Sequence, residues 1–337
     1  MAKPHSSLIR PQGRRAWTPI SVYCATYTMR RCKHEALVEL SAAADPCLVD
    51  PHRLRRLIES LPNPEDQTPL IIAYYGTQEK RMALSQLFPA NDSKTRDRRP
   101  AMCKIYTDAI TSHHRNPIFF ADIDPDCGPP SQETIAHCHQ FQAYRISPRP
   151  YKIQINHMLM NCLLLPFTDL ICIFADDLGG LAVVKQHLQH WADSGIEAAP
   201  QQQTTRVVII ISSPSCGQID DFWVAIRDSC LDKTFPEISF EILSGQAEDN
   251  VRYIPLRVSL LQEKLGLARQ NRQNRMQLFS GPHLAALFSQ CLAHIATNPL
   301  KPFQMLQASR QGIPQPPDFS ECVAAFLKAT YDQDIPY

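Results

Sequence analysis

Glycine is scarce in this chain. Its 337 residues include 11 Gly against 28 Pro, so few positions can take φ > 0 or let a backbone close around phosphate, while stiff connections are plentiful. Net charge is also lacking, because Lys and Arg number 34 and Asp and Glu 33. No whole-chain field therefore attracts nucleic acid or an anionic lipid surface. Aromatics do not alternate with basic residues on any expected strand, which removes a stacking platform for bases. No apolar run suits a membrane span: the most apolar stretch, Met158 to Ala175, is interrupted by Asn161, Pro166, Thr168 and Asp169. It reads as a helix end, a turn and a buried strand. A G-x-S-x-G nucleophile elbow occurs nowhere, so no serine is set up for lipase chemistry.

What is present is core. Hydrophobic residues make up 44% of the chain, enough for one substantial core or two domains. The 12 Cys are scattered through apolar runs and helical patterns with no secretory signal ahead of them, and they read as reduced, in a cytoplasmic protein. Residues Met1 to about Arg15 read as a basic polar tail. Cys24, Cys32, His34, Cys47 and His52 then crowd together. Thiolate and imidazole are zinc ligands, but no C-x₂-C pair is present, so the cluster reads either as a zinc-dependent docking module or as ordinary packed side chains.

Further along, strand and helix signals alternate. Leu70 to Tyr75 is a continuous apolar run between Pro69 and Gly76, as a fully buried strand requires. Met102 to Tyr106, Pro117 to Ala121, Asp169 to Ala175, Arg206 to Ile211 and Ile238 to Leu243 follow as strands. Helical patterns at Met82 to Phe88, Ile153 to Leu165, Leu181 to Trp191 and Asp220 to Cys230 lie between them. This predicts an α/β fold with a three-layer, mostly parallel sheet. After about Tyr253 only helical spacing remains, which predicts a C-terminal helical appendage. The expected organisation is an N-terminal tail and small Cys/His-containing helical region over 1–66, the α/β domain over 67–250 and the helical region over 251–337.

The stretch from Thr68 to Phe88 reads as strand, loop and helix, the arrangement that gathers backbone amides around phosphate in a P-loop. Set against G-x-x-x-x-G-K-[ST], Gly76 fits the first position. Arg81, Met82 and Ala83 stand where the second Gly, the Lys and the Ser/Thr belong; a shortened loop would bring Lys80 into the lysine's role. Asp122, Asp124 and Asp126 follow a buried strand, where open α/β sheets place ligands. They suit a hard divalent cation or a solvated turn equally well. Asp176 and Asp177 offer a second carboxylate pair for a cation, although Asp177 reads most simply as an N-cap or first-turn acid of the next helix. The basic run Arg269 to Arg275 reads as a phosphate contact or a solvated helix face.

The segments IIAYYGTQEKRMAL (71–84), CKIYTDA (103–109), NPIFFADIDPD (116–126), LLLPFTDLICIFADDLGGL (163–181) and PFQMLQASRQG (302–312) carry a resemblance. The chain resembles dynamin-type GTPases with a degenerate P-loop, and more closely the N-terminal GTPase-like region of fungal patatin-like phospholipase and NLR-like proteins. That resemblance implies a P-loop NTPase type of sheet and a nucleotide site at Gly76, Thr77, Lys80, Asp122 and Asp124, with GTP and Mg²⁺ as the ligands. It aligns the phosphate loop with Gly76 to Ala83 and the Walker-B-like acid with Asp122. Pro125 replaces the Gly of D-x-x-G, and Ser212 to Ser215 offers no N-K-x-D. Met82 carries no charge for β/γ-phosphate, Ala83 no Mg²⁺ ligand and Pro125 no N–H.

The expectation is therefore a catalytically degenerate regulatory or oligomerisation module with no catalytic residues. It would act on a protein partner, another copy or a phospholipase-type effector domain, and not on nucleic acid. The alternative is a nucleotide- or metal-dependent phosphohydrolase remodelled around Asp122, with Asp122, Asp124 and Asp126 holding the metal.

Overall fold

The computed structural model describes residues 20–21, 35–41, 47–91, 101–126, 141–147, 158–195, 205–212, 214, 216–227, 229, 231–243, 252–299, 301, 303–311, 320–321, 323–325 and 328. Ten strands form its sheet: β1 (Ile20–Ser21), β2 (Ala36–Ser41), β3 (Cys47–Asp50), β4 (Leu70–Tyr75), β5 (Cys103–Thr107), β6 (Ile118–Ile123), β7 (Gln142–Arg145), β8 (Leu170–Phe174), β9 (Arg206–Ser212) and β10 (Ile238–Leu243). Their order across the sheet is β1-β7-β3-β2-β5-β6-β4-β8-β9-β10.

The helices are α1 (Arg53–Glu59), α2 (Gln78–Leu87), α3 (Leu165–Phe167), α4 (Leu181–Gly195), α5 (Cys216–Arg227), α6 (Leu231–Thr234), α7 (Ile254–Val258), α8 (Leu265–Asn274), α9 (Gly281–Thr297) and α10 (Met305–Gln311). π-Helical turns at Leu159–Leu164 and Ser259–Lys264 lead into α3 and α8.

β4 shows why these residues make these elements. All six of its residues are buried. Ile71, Ala73 and Tyr75 face one core, while Leu70, Ile72 and Tyr74 face the other. A strand covered on both faces has no solvent side to alternate with, hence the unbroken apolar run. β6, β8 and β9 read the same way. Helices α1, α4, α5 and α9 supply the first core, and α2, α7 and α8 the second. The α/β expectation holds at this level.

The sheet is mixed, however. β6, β4, β8, β9 and β10 pair in parallel, whereas β5 meets β6, β2 meets β5 and β3, and β7 meets β3 and β1 antiparallel. Before residue 67 the helix α1 is present, and ahead of it stand β2 and β3, which join the main sheet through the β2–β5 pairing. These strands are short, and although most of their residues are buried, Glu39 and Asp50 interrupt the apolar run that would mark them. The C-terminal helices clad both faces of the sheet: α9 packs on α1, β3 and β7, and α7 on α2.

The Arg269 to Arg275 run is no free basic face either. Arg272 is buried and ion-paired with buried Asp169, whose Oδ2 accepts the Ile71 amide at 2.7 Å. Burial raises the Asp169 pKa, and the Arg272 charge offsets only part of that rise. The pair pins α8 to the entry of the central strands.

Candidate functional site

β4 lies between β6 and β8, so the chain leaves it toward one side first and returns on the other later. The carboxyl end of β4 is a switch point of this kind, where open α/β sheets place ligand sites. The connection there is very short. β4 ends at Tyr75 and α2 begins at Gln78, leaving Gly76 and Thr77. Gly76 takes φ 155°, and a Cβ there would stand 2.6 Å from Oδ2 of Asp177 and 3.0 Å from Cβ of Phe174. The span aligned with a phosphate loop, Gly76 to Ala83, is thus helical from Gln78 onward.

The head of α2 points its amides at a carboxylate of the same chain. Asp177 Oδ2 accepts from the Thr77 N–H at 2.7 Å and the Lys80 N–H at 3.0 Å, and Oδ1 accepts from the Glu79 N–H at 2.8 Å. These are the orphan donors that every helix leaves at its start. Thr77, at the N-cap position, makes no side-chain cap. Asp177 lies in the 3₁₀ turn Asp176–Leu178 after β8, where Gly179 and Gly180, at φ 90° and 107°, turn the chain into α4. It caps α2, one hundred residues upstream, and not the helix that follows it. That corrects its sequence reading: the fold brings β4 and β8 side by side, which local spacing does not reveal.

Lys80 sits in the first turn of α2. Its Nζ lies 2.7 Å from Asp122 Oδ1, with the two side chains 2% and 19% exposed, and it also donates to the Ile123 carbonyl at 2.6 Å. Lys80 and Asp122 therefore meet as a shortened loop allows, but they satisfy each other. Asp124 is turned elsewhere: its Oδ1 accepts the Asp126 N–H at 3.1 Å in an exposed turn, and its own amide donates to Met102. Asp122, Asp124 and Asp126 do not gather into a metal site, and among the described residues no group of three His, Cys, Asp or Glu does so. Residues two apart share a face only while a strand continues; β6 ends at Ile123, so Asp124 and Asp126 lie in the turn beyond it and part from Asp122.

Of the Cys/His cluster, Cys24, Cys32 and His34 lie outside the described residues. Cys47 is half-buried on β3 and forms no disulfide among the described residues, and His52 Nδ1 contacts Asp50 Oδ2 at 3.2 Å.

The rest of the mouth is closed by residues that local sequence patterns do not mark. Glu79 accepts a hydrogen bond from the Tyr253 hydroxyl and lies 3.7 Å from Arg252 Nη1. Arg252 also donates to Ser212 Oγ, and the Ser212 amide donates to Asp176 Oδ2 at 2.8 Å. The Tyr253 pKa is raised by burial and then by its hydrogen bond to Glu79. Ser212 begins the segment aligned with the base-reading motif, and here it holds Arg252. Glu79 and Tyr253 are 174 residues apart, so no short-range signal could have paired them.

Comparison with known proteins adds little to this geometry. No protein-family model matches the sequence, and no curated protein matches it. Among solved structures, the siderophore hydrolase EstA from Aspergillus nidulans is similar at 8% identity and a TM-score of 0.29, over 74% of this chain and 99% of that one. A likeness so slight carries no argument about fold or chemistry.

Proposed function

We propose that the chain is a degenerate GTPase-like module that acts by binding a protein partner or another copy of itself, in a regulatory or oligomerisation role. One observation carries this reading. The Asp177 carboxylate occupies the amides at the head of α2 where a phosphate would have to sit. An anion approaching those amides must displace a tethered carboxylate and face its charge. Lys80 is buried against Asp122, so it cannot neutralise β/γ-phosphate without breaking a desolvated pair.

The P-loop type of the sheet belongs to the same proposal. It is supported by the order β5-β6-β4-β8-β9-β10, in which the strand before the short loop is central, and by the resemblance of the 71–84 and 116–126 segments to GTPase-like regions of patatin-like phospholipase proteins. A phospholipase-type effector is the partner that this resemblance suggests.

The test is calorimetric titration of the full chain with GTP and with ATP, each with Mg²⁺. The expected result is no saturable heat with either nucleotide. Micromolar binding weakened by Asp122→Ala would overturn the reading in favour of a remodelled nucleotide site. Sedimentation velocity over a concentration series then separates self-association from a role for a different partner.

A further inference from the structure

A second recess lies beside the closed mouth. It opens between α4 and α5 at the carboxyl ends of β8 and β9, with a volume of about 560 Å³, within the range of small-molecule sites. Its floor and inner wall are apolar, from Leu181, Ile211 and the buried ring of Phe222. Gly180 also lines it. At φ 107° this position excludes most side chains, and a Cβ there would meet nothing within 4 Å, so the turn leaves open space where another residue would project.

Charges of both signs converge on this recess. Lys185 reaches it from α4, Asp221 from α5, and Asp176 from the end of β8. Lys185 and Asp221 form no ion pair among the described residues, although both line the same cleft. One Oδ of Asp176 is held by the Ser212 amide, which fixes its carboxylate at the rim. An ammonium and two carboxylates around an apolar floor are complementary to one ligand class: a compact zwitterion with an apolar body. A purely anionic ligand would meet Asp176 and Asp221, and a purely cationic one would leave Lys185 without a counter-charge.

We propose that this cleft binds an apolar aminocarboxylate, with Lys185 taking the ligand carboxylate, Asp221 and Asp176 taking its ammonium, and Phe222 and Ile211 covering its side chain. A free amino acid and the two ends of a dipeptide share this chemistry. The inference does not depend on the state of the α2 mouth.

Calorimetry on the full chain with L-leucine, leucyl-leucine, leucinamide and N-acetyl-leucine tests it. Saturable binding is expected with at least one of the two zwitterions, and the tighter of them identifies the source. Leucinamide lacks the carboxylate and N-acetyl-leucine the ammonium, so neither should saturate. Lys185→Gln and Asp221→Asn should each weaken binding by about tenfold or more, as expected for loss of a charged hydrogen bond. Asp221 is exposed and Lys185 half-exposed, and unchanged melting of both variants verifies that they fold. Ala182→Phe, at another exposed lining position, should block the cleft without altering charge. Failure of both zwitterions to saturate, or binding indifferent to all three substitutions, overturns the proposal.

Discussion

Lys80 Nζ lies 2.7 Å from Asp122 Oδ1, and the lysine side chain is only 2% exposed. It holds the α2 head to the end of β6. Removing one partner of such a pair leaves a desolvated charge, so Asp122→Ala should cost about 3 kcal/mol of unfolding free energy. The double substitution Lys80→Met with Asp122→Leu should cost less than the single one, because it leaves no orphan. Urea denaturation of the three proteins checks this order; a double variant less stable than Asp122→Ala would contradict it.

Asp177 acts on α2 as a cap supplied from another part of the chain. Asp177→Ala should lower stability by about 1–2 kcal/mol, the usual loss for a helix cap, and Asp177→Asn by less, since its carbonyl oxygen still accepts. Hydrogen exchange should localise the change: the amides of Thr77, Glu79 and Lys80 should lose protection while those of β9 keep theirs.

Gly76→Ala should be more harmful than its size suggests. The added methyl would fall 2.6 Å from Asp177 Oδ2 at a backbone φ of 155°, so steric eviction of the cap adds to backbone strain of about 1–3 kcal/mol. Thermal melting of Gly76→Ala beside Asp177→Ala separates the two contributions. If the alanine at 76 melts no lower than the wild type, the close approach is relieved by movement of the β8 turn.

Asp177 also shows where sequence reading reaches its limit. β4, β8 and β9 were legible because burial on both faces demands continuous apolar runs, and a run of that kind survives any tertiary context. β2 and β3 were not legible, since their identity as strands comes from pairing with β5 and β7 and not from their own pattern. The strand-loop-helix pattern marks Gly76 and Lys80, the end of a buried strand marks Asp122, and the structure brings the three together where β4 and β6 end. Their partners Asp177, Arg252 and Tyr253 were not connected to them, because each contact joins segments that neighbour one another only after the sheet has assembled. Arg272 was placed in a polar basic run for the same reason: burial against Asp169 depends on where α8 docks.

That docking is testable. Arg272→Ala leaves the buried Asp169 without its cation, and a loss of about 3–5 kcal/mol is expected. Arg269→Ala, in the same run, should have a much smaller effect. Equal losses at the two positions, read from denaturant midpoints, would mean that the Asp169 contact is not what holds the helix.

Alkaline pH should weaken the fold through its thiols. Burial raises the Cys162 pKa from 9.0 to about 11, so between these values the unfolded chain releases a proton that the folded chain retains. The stabilisation is complete below 9.0 and is lost as pH rises toward about 11, because proton release then favours the unfolded state. Cys162→Ala should flatten this part of the pH profile. An unchanged slope in urea midpoints measured across that window would show that the other buried thiols, Cys103, Cys172 and Cys291, and the tyrosines whose pKa burial raises, Tyr74, Tyr75, Tyr144 and Tyr253, dominate it.

The central position of β4 has a further consequence during synthesis. Its neighbours are residues 118–123 on one side and 170–174 on the other, so a nascent chain exposes the sequence LIIAYY with an unpaired edge until Phe174 has left the ribosome. Six apolar residues without a charge or a proline are a ready template for pairing between chains. Translation speed through residues 76–174, and chaperone holding over the same interval, therefore govern how much of this protein reaches its native state rather than aggregating.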